Sequence, residues 1–352
     1  MSASTLTIAL DAMGGDNAPA CVVEGAQLAL RKYDNLHFIF FGDRAKIEPL
    51  FKLFPPVEDF SEIVHTDVLV APHDKPSVAL RRGGQSSMRL AIDAVKEDKA
   101  HCTVSAGNTG ALMAMAKIVF RTLPGISRPA IAALVPTVKG DCVMLDLGAN
   151  VECDPNDLVQ FAIMGDAFAR AVLSLQSPKI GLLNVGSEEM KGNEEVKLAA
   201  QILRNPDLGL NFHGFVEGDD IANGTVDVVV TDGFTGNVAL KTAEGIGRMV
   251  SRYVQNAFTS SLGSKLGYLL AKPAMARLRK SLDPRRRNGA MFLGLNGIAV
   301  KSHGSADGYS FYFAIRVAVE LASSRINHKI LEELKFSLSV PTPVPPSDEK
   351  SE

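Results

Sequence analysis

The chain has 352 residues, 46% of them hydrophobic, enough to bury a large core and to exclude disorder for most of its length. With 37 basic and 39 acidic residues the formal charge is -2, so there is no general attraction to nucleic acid and any basic patch must be local. Cys21, Cys102, Cys142 and Cys153 lack C-x-x-C spacing, which points to reduced thiols in a cytosolic protein and away from a disulfide framework or a cysteine-held metal. No stretch approaches the roughly 18 uncharged apolar residues of a membrane span, and no signal-like amino terminus is present, so the expectation is a soluble, cytoplasmic protein.

Thr5 to Asp11 reads as a first strand, followed by a loop through Gly14, Gly15, Asp16 and Asn17 and a helix from about Pro19. The two glycines let backbone N–H groups approach a ligand, but no G-x-G-x-x-G or Lys-Ser/Thr follows, so nucleotide binding is not supported. Leu36 to Phe41 reads as a strand, Ala45 to Phe54 as a helix, and Pro55 to Glu62 as a surface loop. Lys75, Arg81 and Arg82 then precede a helix with Met88, Ala91, Ile92 and Val95 on one face. Those charges fit a solvated cluster or an acidic partner.

Cys102 to Leu112 repeats the strand, polar glycine turn and helix arrangement, with Ser105, Asn108 and Thr109 at the turn. Ile131 to Val135 and Cys142 to Leu147 follow as apolar strands, the second ending in Asp146-Leu-Gly-Ala-Asn150. Lys179 to Val185 is another strand, and the glycine-bounded loop behind it carries Lys191 and Asn193. Read alone, Lys191 is a solvated surface lysine; at a strand's carboxyl end its ammonium can also reach a bound phosphate.

The most informative stretch is Val226 to Gly247, a β-branched run that passes through Gly233 and Gly236 into a helix, with Asp232, Thr235 and Asn237 at the turn. Asp232 and Thr235 suit an ordinary cap, and the same turn suits an anion at a helix amino terminus. Asp11, Ser105, Asp146 and Asp232 are each followed closely by glycine and asparagine. In a parallel sheet all four ends would share one edge and one polar cleft. His303, after the apolar strand Ile298 to Val300, is the one histidine kept for that cleft.

Residues 251 to 287 change composition, with nine basic residues against the single acid Asp283. Leu262, Leu266, Leu269 and Leu270 form one helical stripe, and Met275, Leu278 and Leu282 form another after Pro273, which predicts a basic amphipathic hairpin broken at the proline. Such a hairpin suits an anionic membrane surface, while the same leucines also suit a core or a dimer contact. The proline-rich residues 339 to 352 are expected to be a disordered tail, leaving 1 to 338 as one large α/β/α domain.

Ile8-Ala-Leu-Asp-Ala-Met-Gly-Gly-Asp-Asn-Ala-Pro19 resembles the amino-terminal signature of the PlsX family, the acyl carrier protein:phosphate acyltransferases of phospholipid synthesis. Lys75 to Arg82, Ser86 to Met88, Val104 to Leu112, Asp146 to Asn150, Asn184 to Gly186, Lys191 to Asn193, 231 to 241 and Ser302 to Gly304 are similar to family blocks in the same order. Gly83-Gly-Gln85 and Ser187 depart from it in local charge. The resemblance implies a Rossmann-like α/β/α fold with a mainly parallel sheet, of the isocitrate dehydrogenase and phosphate acetyltransferase type. It also implies a homodimer, transfer of a fatty acyl group from acyl carrier protein to inorganic phosphate, and a membrane glycerol-phosphate acyltransferase that consumes the product.

On that reading Lys191 and Asn237 are the catalytic residues, acting on phosphate or the developing oxyanion. Gly14, Gly15, Asp16, Asn17, Ser105, Asn108, Thr109, Asn150, Asn193, Asp232, Thr235 and His303 line the substrate and phosphate site, and neither metal nor cofactor is expected. The open alternatives are an acetyl-coenzyme A type phosphate acetyltransferase, a metal-dependent decarboxylating dehydrogenase on a related fold, and a non-catalytic peripheral membrane scaffold.

Overall fold

The computed structural model describes residues 5–338, and the side chains of all of these except 279–282 and 336–338. The expected tail therefore lies outside the described residues, as does the side chain of Leu282. The first part runs β1 (Leu6–Asp11), α1 (Ala20–Leu30), β2 (Leu36–Gly42), α2 (Arg44–Phe51), α3 (Pro55–Asp59), β3 (Ser61–His65), α4 (Pro76–Arg82), α5 (Ser87–Lys96), β4 (Cys102–Ser105) and α6 (Thr109–Phe120). It continues through β5 (Ala130–Thr137), β6 (Gly140–Leu145), α7 (Pro155–Val172), β7 (Lys179–Leu183), α8 (Glu194–Leu203), β8 (Asn211–Val216), α9 (Gly218–Asn223) and β9 (Val228–Val230). The last elements are α10 (Gly233–Thr259), α11 (Leu262–Leu282), β10 (Ala290–Leu293), β11 (Ile298–Lys301), α12 (Gly308–Ser323) and α13 (Ile326–Leu338).

All strands join one sheet, ordered β3-β2-β1-β4-β11-β10-β5-β6-β9-β7-β8. The central strands β1, β4, β6 and β9 are buried on both faces, which is why their sequences read as continuous apolar runs. One core cluster packs α1, α7, α8, α12 and α13 against one face, and a second packs α5 and α6 against the other, giving an α/β/α fold with mainly parallel pairing.

Three expectations are corrected. Pro55 to Glu62 is not a plain loop: Pro55 and Pro56 start α3, where a missing N–H costs nothing, and Ser61–His65 adds β3 at the sheet edge as a half-exposed strand. The helical pair does not break at Pro273, which sits inside α11. Its turn comes at Ser260 and Ser261, where the Ser261 hydroxyl caps α11 by accepting from Ser264 N at 3.0 Å.

The third correction concerns direction. β5 and β6 form an antiparallel hairpin through Thr137 and Gly140, and β10 is antiparallel to both β11 and β5. Strands β6, β9, β7 and β8 consequently run opposite to β1, β2, β3, β4 and β11. The ends at Asp11 and Ser105 therefore point to one edge of the sheet and those at Asp146 and Asp232 to the other. The reversal is made by the two residues Val138 and Lys139 between the paired Thr137 and Gly140.

Candidate active site

Two polar clusters result, one at each edge. In the first, Asp11 closes β1 with its carboxylate buried. Its Oδ1 accepts from Ser87 Oγ and its Oδ2 from Ser105 Oγ, both at 2.6 Å. Burial raises its pKa, and these hydroxyls with the Met13 and Gly14 N–H groups oppose the rise. The loop N–H groups of Met13 and Gly14 thus point to Asp11 in this structure.

Gly15 adopts φ +105°, and a Cβ there would lie 2.8 Å from Ala106 Cβ and 3.0 Å from Gly304 O. Only glycine permits that approach of three chain segments. Asp16 N donates to Gly304 O at 2.8 Å, and Asn17 Nδ2 donates to Ser305 O at 3.2 Å and Ala306 O at 3.1 Å. Gly14, Gly15, Asp16 and Asn17 are therefore fastened across the ends of β4 and β11. His303 is exposed, with Nδ1 2.9 Å from Ser305 Oγ and its backbone N donating to Asn288 Oδ1. Asn108 caps α6 through Ala111 N at 3.0 Å and ties down Pro72 O and Asp74 O, and Thr109 is exposed beside it.

The second cluster joins the carboxyl ends of the neighbouring strands β6, β9 and β7. Asp146 is buried and receives the N–H groups of Ile131, Gly148, Ala149 and Asn150 together with Asn150 Nδ2. Asp232 caps α10, accepting from Thr235 N at 2.8 Å and Thr235 Oγ1 at 2.7 Å. Asn193 caps α8 through Val196 N at 2.9 Å. Asn150, Asn193, Asp232 and Thr235 therefore hold the turns in shape.

Asn237 and Lys191 are different. Asn237 is exposed on the first turns of α10 against Gly148, and its amide has no hydrogen-bond partner among the described residues. Lys191 stands on the loop after β7, about half exposed, with its ammonium 2.9 Å from Glu188, whose hydrogen bond holds the lysine above its ordinary pKa. Asn184, at the end of β7, braces this loop by donating to Lys191 O at 3.0 Å. No group of three or more His, Cys, Asp or Glu side chains able to hold a metal occurs among the described residues.

Lys301, the last residue of β11, escaped the sequence reading although it directly precedes Ser302-His303-Gly304. It is mostly buried beside the first cluster, and burial lowers its pKa to about 8, a fall opposed by Asp11 and Asp16 and deepened by Lys241 of α10. Lys241 stands nine residues beyond Asp232 on α10, the helix that begins in the second cluster, so its charge acts on the first cluster from there.

Comparison with known proteins agrees with this architecture. The chain is 59% identical over 330 residues to a phosphate acyltransferase of Parvibaculum lavamentivorans, covering 94% of this chain and 91% of that protein. It is 56% identical over 347 residues to a phosphate acyltransferase of Paramagnetospirillum magneticum, covering 99% and 98%. A phosphotransacetylase from Streptococcus pyogenes shares the fold with a TM-score of 0.61 at 16% identity, over 91% of this chain and 94% of that one. The EutD phosphotransacetylase from Staphylococcus aureus does so with a TM-score of 0.57 at 17% identity, over 91% and 94%. The family described as "Fatty acid synthesis protein" matches residues 6–329, so the chain belongs to this family, the PlsX family, and is an acyltransferase of its phosphate acyltransferase kind.

Proposed function

We propose that the enzyme transfers a fatty acyl group from the thioester of acyl carrier protein to inorganic phosphate, and that the acyl phosphate feeds glycerophospholipid synthesis. The observation that supports the mechanism is a pair of groups at adjacent strand ends, the Asn237 amide and the Lys191 ammonium, which is paired with the exposed Glu188. A phosphate oxygen attacks the thioester carbon, the C–O bond forms, and the carbonyl oxygen takes up negative charge. Collapse breaks the C–S bond, the sulfur leaves with the electron pair, and the proton carried by hydrogen phosphate ends on the thiol.

A thiol's ordinary pKa of about 8.5 makes it a tolerable leaving group, so the work is positioning and charge stabilisation. Lys191 exchanges Glu188 for phosphate or the oxyanion, and Asn237 orients the same group. Phosphate-dependent release of thiol from long-chain acyl carrier protein, compared with acetyl-coenzyme A, is the test. Faster turnover of acetyl-coenzyme A would replace this reading with a phosphate acetyltransferase.

A second observation supports peripheral membrane attachment. Only Gly233 and Gly236 of α10 are buried, and Leu262, Leu266, Leu269 and Leu270 of α11 are all exposed. The two helices meet through Phe258 and Tyr268, whose rings lie 5.3 Å apart, and α10 packs on the sheet through its first turns, where Ala239 and Leu240 lie against the core. A core role for those leucines is thereby corrected. No helix among the described residues is long and apolar enough to cross a membrane.

On our reading the arm rests on anionic lipid, through its leucines and its basic side chains, near a membrane glycerol-phosphate acyltransferase, and the enzyme works as a cytoplasmic homodimer. Wild type should sediment with anionic liposomes at low salt and a Leu266→Glu/Leu269→Glu variant should not. Equal binding by both would show that these leucines are not the anchor.

A further inference from the structure

Large apolar side chains left in water are ordinary when scattered singly, but five of them gather at the edge that carries Lys191 and Asn237. Val151 follows β6, Val185 and Met190 lie on the loop after β7, and Phe234 and Val238 stand on the first turns of α10 after β9. They are between 50% and 85% exposed. Backbone bonds bring these segments together. Strand β9 lies between β6 and β7, with Val230 paired to Leu145 on one side and to Leu182 on the other. Gly233 N donates to Asn150 O at 2.7 Å, so Phe234 and Val151 each follow one member of that bond. Asn184 Nδ2 donates to Lys191 O at 3.0 Å, which draws Met190 and Lys191 back to the end of β7, beside Val185. Phe234 stands one turn before both Asn237 and Val238, so these three share one side of α10.

The five side chains have no part in holding the fold. They lie outside both core clusters, and the turns that carry them are kept in shape by Asp146, Asn184, Asn193 and Asp232. The acyl chain, however, is bonded to the carbon that phosphate attacks. With that carbon held at Lys191 and Asn237, the first methylenes lie over the neighbouring side chains of the same loops, and those are apolar. A protein partner seated over all five would cover Lys191 and Asn237 as well, and these groups must stay open to the thioester.

We propose that Val151, Val185, Met190, Phe234 and Val238 form the surface that receives the fatty acyl chain and makes the enzyme prefer long chains to short ones. The proposal rests on the acyl transfer proposed above. Each methylene that leaves water for an apolar surface strengthens binding up to about fourfold, so a long chain gains over a short one until the surface ends. Met190, unbranched and polarizable, adapts the surface to chains of different shape.

The test compares phosphate-dependent thiol release from palmitoyl and butyryl acyl carrier protein by wild type, Phe234→Gln/Val238→Gln, Met190→Gln and Val138→Gln. Val138, in the turn between β5 and β6, is 80% exposed and serves as the control. Wild type should favour palmitoyl by about tenfold or more in kcat/KM. The double variant should cut that ratio about tenfold and Met190→Gln about threefold, with KM for phosphate held within about twofold. Val138→Gln should leave the ratio unchanged.

A wild type that favours butyryl overturns the proposal, as does a ratio unchanged in both the double variant and Met190→Gln. Equal loss on both thioesters with a smaller particle in sedimentation would assign these residues to a contact between copies and also overturn it. If the double variant does not fold, Met190→Gln decides, because it lies on a separate exposed loop. Failure of wild type to release thiol from either thioester would end the reading of the reaction itself, a separate outcome.

Discussion

Gly236→Ala tests whether the first turn of α10 is held by backbone contact. A Cβ at Gly236 would lie 2.0 Å from Asp146 O and 2.9 Å from Thr231 Cγ2, and the nearer atom is a main-chain carbonyl that cannot rotate aside. Alanine is the better helix former by about 1 kcal/mol, so propensity alone favours the substitution. Overpacking costs about 1–3 kcal/mol, and contact with backbone puts this site at the upper end, leaving a net loss of about 1–2 kcal/mol. Gly245 lies on the same helix with nothing within 4 Å of the corresponding Cβ, so only the propensity acts there. Gly245→Ala should therefore leave stability unchanged or raise it by up to about 1 kcal/mol. Chemical denaturation of both variants at one temperature measures the difference, and steady-state turnover shows whether the displaced turn takes Asn237 with it. Gly236→Ala should lose turnover while Gly245→Ala keeps it. Equal stability and activity in the two would refute the claim that close packing on Asp146 sets the position of Asn237.

Further outcomes follow from the same geometry. Lys191→Ala and Asn237→Ala should each lower turnover about tenfold or more, about 1.4 kcal/mol in transition-state stabilisation, with melting unchanged because both side chains are exposed; near wild-type rates in both would remove them from the mechanism. Cys21, Cys102, Cys142 and Cys153 have thiols pushed up to about 12 by burial, so each should be replaceable by alanine with activity kept, and a trapped acyl-cysteine on the reaction path would contradict this. Burial raises Glu333 from 4.5 to about 7, so its contribution to stability is complete below about 4.5 and is lost as pH rises through about 7. Glu333→Gln should stabilise the protein relative to wild type more at pH above that window than below it, and a difference that does not change with pH would show that this carboxyl does not titrate there.

Local chemistry in this fold was legible because each strand end carries its own punctuation. Asp232 reads as a helix cap and accepts Thr235 N as such, and Asn193, Asn108 and Ser86, which do not read as caps, close their helices in the same way. Direction was not legible, because the β5–β6 reversal depends on a two-residue turn whose apolar neighbours look the same in a parallel or an antiparallel pair. That single turn sends Asp146 and Asp232 to the opposite edge from Asp11. Lys301 was hidden for a related reason. One lysine closing an apolar strand reads as a solvent-facing end, and its burial comes from the Gly14 to Asn17 loop, nearly three hundred residues away in the chain, folding across β4 and β11.

The two polar edges then need a mechanical link, and α10 is the element placed to provide it. Its first turn is locked to the β6 end through Asp232, Gly233 and Gly236, since Gly233 N donates to Asn150 O at 2.7 Å and Gly236 leaves no room above Asp146 O. Beyond its first turns the helix leaves the sheet as an exposed arm. A rigid helix transmits displacement along its axis, so any force on the arm from lipid or from a second copy of the chain is felt at Asn237. The first turn is pinned by backbone contacts. On this reasoning anionic liposomes should slow amide hydrogen exchange along α10 from Thr259 back to Asn237. Protection confined to the end of the arm, or none at all, would show that the arm and the site move independently.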